Sequence, residues 1–303
     1  MTTMSTSRKR LAVLLTALAL APWLAPRAAR GGTSPLEGWT RLRYTTNKLV
    51  VFSGELSMER TQSGDKTTVR TESRAKLFGS QLVDTWSVST MDRKSGKPQS
   101  FLDVRPRKKA ERYTFGETGI LRETLKPRKD APEEPFEKWR VSKKETLPLE
   151  AKSATSPASV TTTTPPAGGA SQTSEPSRWV HDYIAMIVRL HDLPLRKTGD
   201  EATVRVLTSK GAVPMRVRVS EERNVSRDLK DLVSGKTTSV SFHELRLRVT
   251  PLAGSPSETR GFMNMEGETE LWVDADTRTL LEISGEVPKV PGRVVITMAG
   301  YKK

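Results

Sequence analysis

Cysteine is absent from the 303 residues, histidine occurs three times and aromatic residues make up 6% of the chain. Without cysteine there is no disulfide framework, no thiolate metal site and no cysteine nucleophile. An amino-terminal lipid anchor is excluded too, because it needs a cysteine at the cleavage point. Long apolar runs are also scarce. Only one segment is apolar enough to insert into a bilayer, which excludes a polytopic membrane protein. No Gly-rich phosphate loop, nucleophile elbow or HExxH motif occurs. What the chain has instead is positive charge: 50 Lys and Arg against 35 Asp and Glu, a formal net charge of +15.

The amino end reads as a targeting segment. Arg8, Lys9 and Arg10 are followed by an apolar or small run from Leu11 to Ala21, broken only by Thr16. Small residues follow at Ala25, Ala28, Ala29, Gly31 and Gly32. Charge, a short apolar core and small residues at the cut are the layout of a secretory signal. The run is about half of the roughly 20 residues that span a bilayer. We therefore expect residues 1–31 to be a signal peptide and the protein to be exported, periplasmic or envelope-associated, with no permanent span after cleavage. The segment carries five basic residues and no acid; 50 less five leaves 45 against 35, a net charge of +10. Such a balance favours polyanions. For an exported protein these are anionic lipid or acidic polysaccharide of the envelope rather than nucleic acid.

The stretch from Ala151 to Ser177 is rich in Ser, Thr, Pro, Ala and Gly. It has too little apolar surface to offset its ordering entropy, so it is expected to be a disordered insertion. It divides a first β half (32–150) from a helix plus a second β half (178–303) of the same domain. In the first half, Leu42–Tyr44, Leu49–Met58 with Gly54 as a bulge, Thr68–Ser73, Leu82–Ser89, Phe101–Val104, Ala110–Phe115 and Phe136–Val141 read as strands. Gly64-Asp65, Ser95-Gly96 and Gly116 supply turn chemistry between them. After the insertion, RWVHDYIAMIVRLHDL has apolar residues spaced by three and four, which predicts a helix capped by Ser177 and stopped by Pro194. Strands resume at Ala202–Thr208, Val213–Ser220, Val240–Thr250, Glu268–Ala275, Thr279–Gly285 and Arg293–Met298. The expected fold is mainly β: an antiparallel, barrel-like sheet around one buried helix.

Several features carry a resemblance. A helix ending in Arg189-Leu190 is followed by Leu193-Pro194-Leu195 and Gly199. Later comes Leu271-Trp272-Val273-Asp274, with Asp276, Arg278 and Leu280 after it. This resembles the domain of unknown function 3108 family, a group of exported bacterial proteins, over roughly Leu42 to Tyr301. The chain departs from the family pattern at Leu281, where a proline is usual. The resemblance implies a β-rich envelope protein and assigns no catalytic residues, metal or cofactor.

Few residues invite chemistry. The repeated pairs His181-Asp182 and His191-Asp192 lie ten residues apart, about 280° around a helix, so one metal cannot use both. Glu266, Glu268 and Glu270 alternate on one strand face, where paired carboxylates could serve a hydrolase. Arg105, Arg107, Lys108, Lys109 and Arg112 form the densest basic cluster and are candidates for polyanion contact. Trp179, Tyr183 and Ile187 are candidates to line a cavity. The reading that follows is a non-enzymatic envelope protein contacting anionic material. One alternative is a carrier of a lipid or acyl chain on the concave sheet face; another is a hydrolase using Glu266–Glu270.

Overall fold

The computed structural model describes residues 34, 36–48, 52–149, 179–208, 211–252, 262–287 and 290–303. The predicted signal segment, the insertion and Ser177 lie outside these residues. The described chain forms one sheet of fifteen strands built from two meanders. The first contains β1 (Arg41–Lys48), β2 (Phe52–Ser63), β3 (Lys66–Leu77), β4 (Ser80–Asp92), β5 (Pro98–Arg105), β6 (Lys109–Phe115), β7 (Ile120–Lys126) and β8 (Arg140–Leu147). Each pairs with the next, as short alternating segments separated by turn residues should.

The second meander contains β9 (Val180–His181), the helix α1 (Tyr183–Val188), β10 (Glu201–Thr208), β11 (Gly211–Asp231), β12 (Thr237–Pro251), β13 (Glu266–Asp274), β14 (Leu280–Glu286) and β15 (Arg293–Lys302). The two meanders join along β1 and β15, which pair antiparallel with Leu42 opposite Tyr301 and Tyr44 opposite Met298. The strand order thus runs from β8 down to β1, then from β15 down to β9. All neighbours are antiparallel except β9 and β10, which are parallel. The expectation of a mainly β, antiparallel, barrel-like sheet is correct.

The sheet curls. The 21-residue β11 has a bulge between Val219 and Glu221, and bulges bend strands and increase their twist. Beyond it, Lys230 and Asp231 reach Gly300 and Tyr301 of β15 in a short parallel pairing. Strands β11 to β15 therefore close on themselves. A Cβ at Gly300 would stand 2.6 Å from the Lys230 carbonyl oxygen, so only glycine permits this approach.

Three expectations need correction. The helix is not a long rod over 178–193. It has six residues, and Val180–His181 before it is a strand that pairs with Arg205 and Val206. A buried carboxylate sets its start: Asp182 accepts hydrogen bonds from the backbone N–H groups of Ile184 and Ala185, both at 2.9 Å. A 3₁₀ turn, Leu190–Asp192, follows before Pro194. Phe136–Val141 is not a strand, because Phe136–Lys138 is a 3₁₀ turn and β8 begins at Arg140. Gly54 sits in an unbroken register between β1 and β3 rather than at a bulge.

The helix is buried as expected: Ile184, Ala185, Met186 and Ile187 all pack into the main core. That core is dominated by the second meander. Val204, Val217, Leu247, Leu271 and Ile283 each point inward and are almost inaccessible. By area, burying each such side chain favours folding by about 1.5–3 kcal/mol.

Candidate functional site

The inward face of the first meander is different in kind. Register places Thr71, Ser87, Asp103, Glu111 and Thr124 side by side across β3 to β7. The adjacent row runs Val69, Ser89, Phe101, Tyr113, Arg122 and Glu145. Ser87 and Ser89 are 2% and 0% exposed, so hydroxyls occupy positions where a barrel interior usually places apolar groups.

These groups satisfy one another. Ser87 donates to Asp103 Oδ1 at 2.8 Å, and its oxygen lies 3.0 Å from the Tyr183 hydroxyl. Ser89 donates to Asp182 Oδ2 at 2.7 Å. Glu111 receives Lys109 at 2.9 Å and Arg122 at 2.5 Å, and Tyr113 donates to its second oxygen at 3.2 Å. The rings of Phe101 and Tyr183 meet edge to face at 5.4 Å, a favoured aromatic geometry.

The two facing carboxyls are shifted in opposite directions. Burial pushes Asp103 above its ordinary range, more than the Ser87 hydrogen bond and the Arg105 charge pull it down. Burial also acts on Glu111, but its hydrogen bonds with Lys109 and Arg122 outweigh it and hold Glu111 low. Asp182 is pushed up to about 6 by burial, despite its hydrogen bonds with Ala185, Ser89 and Ile184. Burial likewise raises the Tyr183 hydroxyl. The row thus contains a doubly clamped Glu111, held low, beside an Asp103 carboxyl whose burial pushes it the other way.

Asp103, Glu111, Tyr113, Arg122, Asp182 and Tyr183 line a cleft of about 1480 Å³. Its lining also includes an apolar group, Phe52, Leu56, Met263, Met265, Val287 and Ile296, and further charged side chains such as Glu55, Arg70, Arg74 and Asp84. The cleft therefore combines the polar row of β5–β7 with apolar side chains drawn from both meanders.

The candidates from sequence fall in different places. Tyr183 lines this cleft and bonds its polar row. Trp179 lines a separate cavity of about 270 Å³, with the Lys97 ammonium 4.7 Å from its ring centroid. Ile187 is buried in the core and lines neither cavity. Arg105, Arg107, Lys108 and Lys109 lie at the cleft rim around the β5–β6 turn, whereas Arg112 does not line it.

Much of that basic charge is compensated. Arg107 pairs with Glu133 at 2.7 Å, Lys109 with Glu111 at 2.9 Å and Arg112 with Glu123 at 3.5 Å. Arg105 is 3.9 Å from Asp103. The acids Glu268 and Glu270 face Arg248 at 3.5 and 3.8 Å, and Arg293 reaches Glu270 at 3.2 Å. Glu266, Glu268 and Glu270 do not line the cleft. Glu268 and Glu270 belong to a ladder of ion pairs, the ordinary use of alternating charge on a strand face.

The histidine pairs also separate. His181 is buried, whereas His191 is exposed, with Nδ1 2.9 Å from the Val188 carbonyl oxygen. No group of three or more metal-ligating side chains is present among the described residues. Asp103, Glu111, Arg122, Ser87 and Ser89 were missed from sequence. The alternation of LVDTWSVS was visible, but its polar set faces inward.

No family model matches the sequence, and no curated protein matches it. Among solved structures, the chain is similar to a beta-barrel-like protein of domain of unknown function DUF1849 from Brucella abortus. The identity is 11%, the alignment covers 86% of this chain and 95% of that one, and the TM-score is 0.45.

Proposed function

We propose that this is an exported, non-enzymatic protein of the cell envelope that holds an amphiphile, a lipid or acyl-chain compound, inside its curled sheet. The observation that carries this reading is that one large cleft is lined both by an apolar group of side chains and by a hydrogen-bonded polar row. Small-molecule sites are concave, mostly apolar and carry a few placed polar groups. The acyl portion would lie against Phe52, Leu56 and Ile296, and the polar end against Tyr183, Asp103 and Arg122. The amino-terminal signal layout and the resemblance to the domain of unknown function 3108 family support the exported placement. The basic rim residues Arg105 and Lys108 would meet an anionic headgroup or envelope polysaccharide before the ligand enters, which gives the surface-contact expectation a narrower role.

Native mass spectrometry of protein purified from the periplasm of an expressing bacterium tests this. A co-purifying lipid, lost in a Leu56→Trp variant that fills the cleft, is the expected result. A protein that carries no lipid and takes up none from mixed micelles overturns it.

A further inference from the structure

The two-residue turn between β3 and β4 contains Phe78 and Gly79, between the paired residues Leu77 and Ser80. Both turn residues have positive φ, 50° and 77°. A tight hairpin turn with two positive φ values favours Asn-Gly or Asp-Gly, and a bulky aromatic is poorly suited to its first position. Phe78 nevertheless occupies it and is 75% exposed, with its ring in solvent.

The other non-glycine residues with positive φ are Arg107, Met263 and Arg278. Each has an evident engagement: Arg107 with Glu133, Met263 with the cleft wall, and Arg278 with the Ala275 carbonyl oxygen. Phe78 alone among the four projects outward as an apolar group, in a backbone conformation that discourages it. Departures from local rules of this kind concentrate at functional positions.

The surroundings name a partner. Lys76, two residues before Phe78, is exposed, and so is Arg74, whose side chain is 73% accessible. In the register Arg74 lies between Glu55 and Asp84, the latter 4.0 Å away, while Lys76 lies nearer the tip. Behind the turn, Leu77 and Leu82 pack on a separate apolar cluster with Phe52 and Val294. Arg74, Ala75, Gln81, Leu82 and Val83 line the large cleft. An aromatic tip flanked by cations, set at one end of a cleft with a greasy part, has the chemistry of a bilayer contact. The ring enters the interfacial region while the cations meet anionic headgroups.

We infer that the Phe78 turn docks this protein on anionic lipid bilayers, placing the apolar part of its cleft at the membrane surface. The inference rests on the amphiphile reading for its purpose, but the contact is measurable without it.

The test is co-sedimentation of the purified protein with vesicles of phosphatidylglycerol and phosphatidylcholine, and of phosphatidylcholine alone. Phe78→Asn creates the favoured Asn-Gly turn, so it should melt no lower than the parent, and lost binding cannot be ascribed to unfolding. We expect Phe78→Asn to weaken binding to the anionic vesicles about tenfold or more. Lys76→Gln should weaken it less, and salt should weaken both the parent and Phe78→Asn. Lipid co-purification by Phe78→Asn should persist, which separates this inference from the cleft reading. Unchanged vesicle binding by Phe78→Asn overturns it, as does binding that is indifferent to lipid charge. Failure of the parent to sediment with either vesicle overturns it too.

Discussion

The two meanders, of eight and seven strands, share an alternation, yet they spend their inward faces differently. In β10–β15 the inner side chains are aliphatic and pack together. In β3–β7 they include hydroxyls, carboxyls, a guanidinium and the Tyr113 phenol, several of them along the wall of a cleft. Charge in the second meander is kept on the other side and tightly paired. Glu244, whose side chain is 0% exposed, accepts from Arg223 at 2.9 Å and from Arg227, while the Arg223 guanidinium lies 3.5 Å from the Trp272 ring centroid. One half of the molecule therefore supplies stability, and the other relinquishes some of it to hold polar groups in place. Such an exchange is expected where function requires a fixed polar row.

The sharpest way to break this contrast is a truncation in each half. Leu247→Ala should cost about 2–5 kcal/mol, because it leaves a cavity in a packed core, read as a lowered midpoint in urea unfolding. Ser87→Ala should cost about 1 kcal/mol, the ordinary value of one hydrogen bond. Equal costs would show that the first meander is as core-like as the second.

The helix start is where the halves meet, and pH resolves its contribution. Asp182, at about 6 in the fold, binds its proton more tightly than in the unfolded chain, near 3.8. Its contribution to stability is present at low pH and is lost as pH rises toward 6 and beyond. Burial holds His181 down to about 4 against an ordinary 6.5, with the Arg189 charge adding to the effect. Its penalty works the other way, so stability rises as pH climbs from about 4 to 6.5. The two neighbours oppose each other, and the parent should show a shallow profile across this window. Asp182→Asn keeps a capping oxygen and removes one titration, so its stability should rise by about 2–3 kcal/mol between pH 4 and 6.5, followed by thermal melts. A profile unchanged by the substitution would show that the Asp182 carboxyl does not titrate there.

The smallest effect belongs to the strand ladder. Glu270→Gln should change stability by about 0–1 kcal/mol, since its Arg248 and Arg293 partners are partly exposed and hydrated. A loss above about 2 kcal/mol would mean that the ladder, not the aliphatic face, holds the second meander.

Much of the architecture was legible because alternation and turn residues are local signals. The run VPMRVRVS alternates core valines with outward arginines, as read. The helix was overestimated because WVHDYIAMIV is apolar nearly throughout, and a buried strand and a buried helix share that signature; the Asp182 cap separates them, and it acts through space. Strand β7 was overlooked since ILRETLK resembles a helix face as well as a strand. The polar row lay hidden for a different reason. Alternation gives two faces but not their direction, and in LVDTWSVS the face with Trp86 is the obvious inward choice. The row becomes visible only when Ser87, Asp103 and Glu111 are aligned by the register of three successive strands.

The junction of β1 with β15 has a consequence for self-association. Had the two meanders stood apart, each would have presented a long, partly apolar strand with free amide and carbonyl groups. Instead those strands protect each other, with Thr40 bonded to Lys302 across 262 positions. The borders that remain are β8, with Lys143 and Lys144 largely in solvent, and the two-residue β9. A charged margin and a stub offer a second molecule little to extend, so crowding at high concentration is resisted by how the sheet is laid out.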